Sequence, residues 1–291
     1  MTYLTKEDWT NYLLPKLRDD KSFSVHLKEN IKIQNSFIHL INKIFNEQKN
    51  SQKIITQRIL ISSMIYYHKY ILFNNILQSD LSALDKLVLF CSCIFLALKE
   101  ANKLIHINYL ASKFQSSFNK FKNFEIEEIR DLIIQKELDI LISIEFDLNV
   151  DWPYQILNLV KLYLKNLQKG NETIARVINY INLNINDSHL FPLCLYYTPN
   201  EIVFSCILLA KKTHNLDFIN IDDLIKVNKF KIDNDNINQC TLYISKIQKY
   251  KNELIQNVNL NENRNIIITN LNINDNSHNE NNNYITNLAK F

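Results

Sequence analysis

The sequence predicts an all-α protein built from two tandem helical units, and two observations carry that prediction. The first is the scarcity of chain breakers, because the 291 residues include one glycine, Gly170, and four prolines. Strand-rich folds need such turn residues at short intervals, so their scarcity favours helices. The second is an internal repeat, SCIFLALK at 92–99 and SCILLAKK at 205–212, which is identical at six of eight positions. Two copies of one helix imply two copies of a compact unit.

The first copy of the repeat lies in Asp85–Asn102, DKLVLFCSCIFLALKEAN, which predicts the central helix of its unit. Apolar residues occur on nearly every side, and a helix of that kind belongs in the middle of a bundle. The small side chains of Ser92, Cys93 and Ala97 would let neighbouring helices approach closely. Lys99 ends the apolar run, so its ammonium group either extends to solvent or meets a partner.

Apolar residues spaced three and four apart predict the other helices of the first unit. These helices are predicted at Ile31–Gln48, Thr56–Asn74, Ile107–Phe118 and Glu125–Ile144, with Ser82 or Asp85 capping the central helix. The acidic residues at the start of the last helix suit the positive end of its dipole.

Pro153 marks the predicted junction between the units, because proline disfavours helical geometry at Trp152 and suits the first turn of the next helix. The helices of the second unit are predicted at Tyr154–Asn166, Glu172–Asn186, Ile221–Val227 and Asp235–Leu254, with the repeat of the central helix opening at Pro199. The predicted organisation is an arm at 1–30, a first unit at 31–149, a second unit at 150–254 and a tail at 255–291. The asparagine-rich tail can bury little apolar surface, so we expect it to be disordered.

Composition excludes several classes of function. A net charge of +3 is too small to indicate nucleic-acid binding. Cys91 and Cys93, in an apolar helix, resemble core thiols of a reducing compartment, and no CxxC pair suggests a zinc ribbon. Early N-terminal charges and the lack of a long apolar run predict a soluble intracellular protein. No nucleophile–base set, glycine-rich loop or carboxylate pair suggests catalysis, so we expect neither enzymatic activity nor a cofactor or metal.

Four segments together carry a resemblance to a known family. They are IYYHKYILFN (65–74), FLALKE (95–100), ELDILISIEFDLNVDWPYQIL (137–157) and NDSHLFPLCLYYTPNEIVFSCILLAKK (186–212). In order and spacing they resemble segments of transcription-type cyclins that read close to "IYFHRFYM", "FLAGKVEE", "FDL-V-HPY" and "NDSL…LCL-Y-PE-IA". The resemblance runs from about residue 31 to about 254 and is closest to the K and T cyclins, with the L type as the alternative. It implies two tandem five-helix cyclin boxes.

The sequence departs from that pattern at two places. The acidic pair that follows the central lysine in the family is reduced here to Glu100, followed by Ala101 and Asn102. The family's His-Pro is Trp152-Pro153. These differences leave the subtype and its accessory partners open.

The resemblance implies that Lys99 and Glu137 make the polar contact with a kinase, near the αC helix of that kinase. The sequence marks Glu137 independently, since its own helix face carries Ile133, Ile140, Leu141 and Ile144. An acid on an apolar stripe needs a partner, so an internal structural bridge to Lys99 is the alternative interpretation.

The second unit carries Lys212 at the position of Lys99 but no acid in the middle of its last helix. We therefore expect the first unit to bind the kinase. His68 is interpreted as a packed or hydrogen-bonded core residue, with a functional contact as the alternative. Lys211–His214 is interpreted as a solvated helix end rather than a phosphate-binding site.

The resemblance therefore implies a regulatory subunit that binds and activates a cyclin-dependent kinase, with the C-terminal domain of RNA polymerase II as the substrate. Such a protein would be nuclear, with the cytoplasm as a second location, and would bind neither membranes nor specific nucleic acid. A promoter-binding protein of the factor IIB type also has two cyclin boxes. It should show a zinc ribbon and a strongly basic second box, and the sequence has neither. A scaffold that does not activate a kinase is the third alternative.

Overall fold

The computed structural model describes residues 19–45, 53–74, 81–103, 105–151, 153–166, 171–216, 219–228 and 232–271, with the backbone alone at 53–56, 171, 227–228 and 257–271. Within these ranges the chain forms α1 (Asp20–Phe45), α2 (Lys53–Phe73), α3 (Ala83–Glu100), α4 (Ile107–Ser117), α5 (Ile126–Ser143), α6 (Pro153–Asn166), α7 (Asn171–Ser188), α8 (Pro199–His214), α9 (Ile221–Asn228) and α10 (Asn234–Leu271). Two short 3₁₀ turns cover Asn119–Phe121 and Pro192–Leu195. The described part of the chain is all-helical, which confirms the predicted class.

Local capping explains several helix starts. The Ser82 hydroxyl accepts a hydrogen bond from the amide of Asp85 at 3.1 Å, so the predicted cap of α3 is confirmed. At α5, Glu125 and Glu128 form a reciprocal capping box. Helix α6 begins at Pro153, whose fixed φ suits the first helical turn.

Helix α1 begins at Asp20, well before the predicted start at Ile31. The carboxylate of Asp19 accepts a hydrogen bond from the amide of Ser22 at 2.6 Å, which satisfies a free N–H in the first turn. Residues 20–30, placed in the arm by the sequence, are therefore part of α1. Residues 1–18 of that arm lie outside the described residues.

Helix α10 is also longer than predicted, because its helical backbone continues past Leu254 to Leu271. No glycine or proline occurs after Pro199, so no breaker residue stops the helix at the predicted point. Residues 272–291 of the predicted tail lie outside the described residues.

The two central helices, α3 and α8, make the same contacts in their units. The single hydroxyl proton of Ser92 is shared between the carbonyls of Val88 and Ile133, at 2.9 and 3.0 Å. The hydroxyl proton of Ser205 is likewise shared between the carbonyls of Glu201 and Ile237, at 2.6 and 3.0 Å. In each case one bond stays within the central helix and the other reaches the last helix of the unit.

The ends of the central helices also match. Asn102 and Asn215 both adopt left-handed backbone angles, with φ of 53° and 51°. Asparagine tolerates this conformation better than most residues. The amide of the following residue then donates back to the carbonyl of Leu98 in α3 and of Lys211 in α8. The repeat seen in the sequence is therefore a repeat of structure.

Two hydrophobic cores fill the units, and helices α1 and α2 contribute to both. Phe23, Leu27 and Ile31 of α1 lie in the second core, whereas the first core contains Ile33, Phe37, Leu40, Ile41 and Ile44. The ring of Phe23 stacks on Phe191 with centroids 4.8 Å apart. The first half of α1 therefore joins the two units through apolar burial.

Polar contacts of α2 complete the joint between the units. Gln57 donates to the hydroxyl of Tyr154 at 2.7 Å and to the side-chain oxygen of Asn186 at 3.0 Å. About three turns further along α2, His68 Nε2 lies 3.0 Å from the carbonyl oxygen of His189. Among the described residues, no helix is long and apolar enough to cross a membrane.

Candidate kinase-docking site

Lys99 and Glu137, the two residues singled out in the sequence, form an ion pair on the first unit. The ammonium group of Lys99 lies 2.7 and 2.9 Å from the two carboxylate oxygens of Glu137. Lys99 stands in the last turn of α3, and Glu137 lies in the middle of α5. The lysine side chain is 48% exposed and the glutamate side chain 8% exposed. The pair therefore fixes the ammonium group of Lys99 at the surface.

The surroundings of Lys99 hold it in place. Its ammonium group stands 4.2 Å from the centre of the Phe95 ring, one turn back on α3, which is a favourable cation–π distance. The next residue, Glu100, forms an ion pair with Arg58 of α2. A carboxylate as buried as that of Glu137 would be strongly disfavoured without a partner. The structure thus contains the internal bridge between Lys99 and Glu137. A kinase could still dock on the exposed side of the lysine, so the two interpretations are compatible.

At the matching positions of the second unit, both of which the structure describes, no equivalent pair forms. Since Ser92 bonds to Ile133 and Ser205 bonds to Ile237, the residue that corresponds to Glu137 is Thr241. The Thr241 hydroxyl is buried and donates to the carbonyl of Ile237 at 2.7 Å. Lys212 is exposed, and within the described ranges it forms no ion pair. Of these matched positions, only those of the first unit form an ion pair, and kinase docking on the first unit stays a prediction.

An exposed apolar stripe on α5 lies beside the ion pair, and the sequence analysis missed it. Ile134, Leu138 and Ile142 recur at steps of four and all have exposed side chains. Phe146, four residues further on, is 62% exposed. The sequence did contain a signal for the stripe: α5 carries apolar residues on two adjacent faces, and burial in the core accounts for only one of them. Sequence periodicity assigned only the face of Glu137.

Other candidate residues are structural. His68 and His189 are buried, and burial lowers the pKa of each to about 4, so both imidazoles are neutral near pH 7. This confirms the interpretation of His68 as a hydrogen-bonded core residue.

All five cysteines are free and buried, and burial raises the pKa of Cys194 and Cys240 to about 12. Such thiols are poor nucleophiles. Lys211 donates to the carbonyl of Ile219 at 3.0 Å, so it stabilises the turn after α8. In the part of the chain that the structure describes, no group of three histidine, cysteine, aspartate or glutamate side chains could hold a metal ion.

The two five-helix units, each built around a small-residue central helix, define a double cyclin-box fold. No protein-family profile matches the sequence. Among curated proteins, cyclin-T1-3 of Oryza sativa subsp. japonica is 26% identical over 168 residues. The matched region covers 54% of this chain and 32% of the rice protein, so the chain spans about a third of the length of that relative.

Two solved structures share the fold. A chain of the yeast TFIIK complex of Kin28, Ccl1 and Tfb3 matches with a TM-score of 0.51 and 18% identity, over 80% of this chain and 95% of that chain. A chain of the yeast RNA polymerase II CTD kinase CTDK-1 complex matches with a TM-score of 0.58 and 14% identity, over 100% of this chain and 83% of that chain. Together with the rice relative, these matches confirm the resemblance to transcription-type cyclins.

Proposed function

We propose that this protein is a regulatory subunit that binds and activates a cyclin-dependent kinase. The observation that carries the proposal is the Lys99–Glu137 pair, set beside the exposed apolar stripe of Ile134, Leu138 and Ile142. A contiguous exposed apolar surface beside a fixed charge is typical of a protein interaction site. One of the two structural matches is a chain of an RNA polymerase II CTD kinase complex, which supports a kinase as the partner.

The stripe suits an amphipathic helix of the partner, because its members repeat at helical spacing along one side of α5. Lys99 keeps donor capacity beyond its bonds to Glu137, since an ammonium group has three protons and its side chain is half exposed. It can therefore bind carbonyl or carboxylate oxygens of a docked segment. Apolar contact would supply affinity and the charge would fix orientation.

In a protein kinase, the αC helix must be in place before its glutamate can pair with the ATP-binding lysine. A cyclin that docks against αC therefore stabilises the active arrangement, and the chemistry stays with the kinase. The proposed substrate is the C-terminal domain of RNA polymerase II, and the proposed location is the nucleus.

The test begins with affinity purification of the full chain and identification of the kinase that co-elutes. The purified kinase is then assayed with a peptide of RNA polymerase II C-terminal heptads, with and without the chain. We expect phosphorylation to rise when the chain is added, and the Lys99→Ala, Glu137→Ala double variant to lose the effect. Equal kinase activity with and without the chain would contradict the proposal and favour a scaffold.

A further inference from the structure

The chain turns sharply after α5, at a corner formed by Glu145 and Phe146. Both residues adopt left-handed backbone angles, with φ of 53° and 58°. The amide of Phe146 donates to the carbonyl of Leu141 at 2.8 Å, which closes the corner onto the end of α5. Left-handed geometry is unfavourable for side chains other than glycine, by about 1 kcal/mol or more per residue. Two such residues in succession persist only where the surroundings fix them.

Lys69 of α2 is the side chain that holds the residue after the corner. Its ammonium group donates to the carbonyl oxygen of Asp147 at 3.0 Å and lies 3.5 Å from the Asp147 carboxylate. The Lys69 side chain is only 1% exposed, so its charge is compensated inside the protein. Tyr66, one turn earlier on α2, donates its hydroxyl to the carbonyl of Leu148 at 3.1 Å.

The corner determines where the exposed ring of Phe146 lies. Phe146 extends the series Ile134, Leu138 and Ile142 by one more step of four residues, although α5 ends at Ser143. The left-handed angles of Glu145 and Phe146 rule out a straight extension of α5. The position of the Phe146 ring therefore depends on contacts made by the residues that follow the corner. Lys69 and Tyr66 supply side-chain bonds to the two residues that follow the corner, Asp147 and Leu148.

We propose that Lys69 is a positioning residue for kinase docking. It fixes the Glu145–Phe146 corner and thereby places the ring of Phe146 on the docking surface. The inference rests on the proposed function, since it assigns a residue to the same site. Lys69 itself is buried and touches no partner; it acts through the backbone of Asp147.

The test is a double-mutant cycle for kinase association in the full chain. Lys69→Met keeps the apolar stem and removes the donors. We expect it to weaken association about tenfold, because a misplaced Phe146 ring loses its apolar contact with the kinase. We expect Phe146→Ala to weaken association too. In the Phe146→Ala background, Lys69→Met should cause no further loss of association, although it should lower the melting temperature as before.

Lys251→Met is the matched control, because Lys251 forms a largely buried ion pair with Asp187 in the second unit, at 2.7 Å. It should lower the melting temperature and leave kinase association unchanged. Additive losses for Lys69→Met and Phe146→Ala, or an equal loss for Lys251→Met, would overturn the positioning role.

Two further measurements keep the inference testable. If Lys69→Met does not fold, Tyr66→Phe removes only the bond to Leu148 and should show the same non-additivity with Phe146→Ala. Amide hydrogen exchange at Phe146 and Asp147 should be faster in Lys69→Met than in the parent chain without any kinase, and unchanged exchange would overturn the inference. If Lys99→Ala and Glu137→Ala leave association intact, the docking site itself is wrong, whatever the exchange data show.

Discussion

The carboxylate of Glu137 is buried beneath the ammonium group of Lys99, at 2.7 Å, and only the lysine reaches the surface. The two side chains therefore have different environments although they form one pair. Loss of the lysine leaves a buried charge without its partner. Loss of the glutamate leaves an exposed lysine that is free to move.

We predict that Glu137→Ala or Lys99→Ala weakens kinase association by roughly 30-fold or more, since truncating one member of a desolvated charge pair at an interface costs about 2–5 kcal/mol. Titration with the co-purified kinase measures this effect. Lys212→Ala, at the matching position of the second unit, is the control and should change association little.

Thermal melting of the same variants separates docking from internal stability. If the loss of binding in each variant tracked its loss of stability, the pair would be an internal bridge only. If Lys212→Ala reduced association instead, the kinase would bind the second unit.

The apolar stripe gives a second prediction. Leu138→Asp should reduce kinase association by about tenfold or more, because a charge would be desolvated against an apolar partner. It should leave the unfolding free energy within about 0.5 kcal/mol, since Leu138 is already half exposed. Leu162→Asp, at an exposed position of α6, is the matched control and should affect neither quantity. A Leu138→Asp protein with normal kinase association would remove the stripe from the docking surface.

The third prediction concerns the repeated serines. Ser92→Ala and Ser205→Ala each remove the hydroxyl that bridges two buried carbonyls, so each should lower the unfolding free energy by about 1–2 kcal/mol. Urea unfolding measures both values, and they should be similar. Ser36→Ala is the control, because the Ser36 hydroxyl bonds only within its own helix, to the carbonyl of Lys32. Destabilisation by one of the two buried substitutions alone would show that the central helices are held differently.

The fourth prediction is a pH dependence set by His68, whose pKa is lowered by burial to about 4 in the folded protein. An unfolded histidine has a pKa near 6.5, so between about pH 6.5 and 4 the unfolded chain binds the proton and the folded chain does not. Stability should therefore fall as the pH falls through this range.

His68→Gln keeps an N–H donor for the His189 carbonyl but does not titrate, so it should reduce the change in melting temperature between pH 7 and pH 5. His189 has a similarly lowered pKa and should leave part of the change in place. Burial raises the pKa of Asp187, so this group makes the folded protein more stable as the pH falls, opposite to the histidines. The effect of His68 is therefore read from the difference between His68→Gln and the parent chain. The parent chain, melted at the same two pH values, is the reference. An unchanged pH response in His68→Gln would contradict the assignment.

The sequence by itself determined the helical class, the duplication and the unusual position of Glu137. Each of these depends on local information. The scarcity of glycine and proline can be counted in the sequence, and the repeat SCIFLALK and SCILLAKK is a linear pattern. The position of Glu137 on an apolar stripe follows from helical spacing. Capping at Ser82 and the start of α6 at Pro153 are local for the same reason.

Only the tertiary structure decided which faces of those helices are covered. Helical periodicity shows that Ile134 and Ile133 lie on adjacent faces of α5, but another helix must be placed before one is buried and the other exposed. The first half of α1 is helical because its Phe23 and Leu27 pack in the core of the second unit, far away along the chain. The hydrogen bond from Lys69 to the carbonyl of Asp147 joins residues 78 positions apart, and it depends on how α2 approaches the corner after α5. Contacts between distant segments come from packing, and packing is a property of the whole fold.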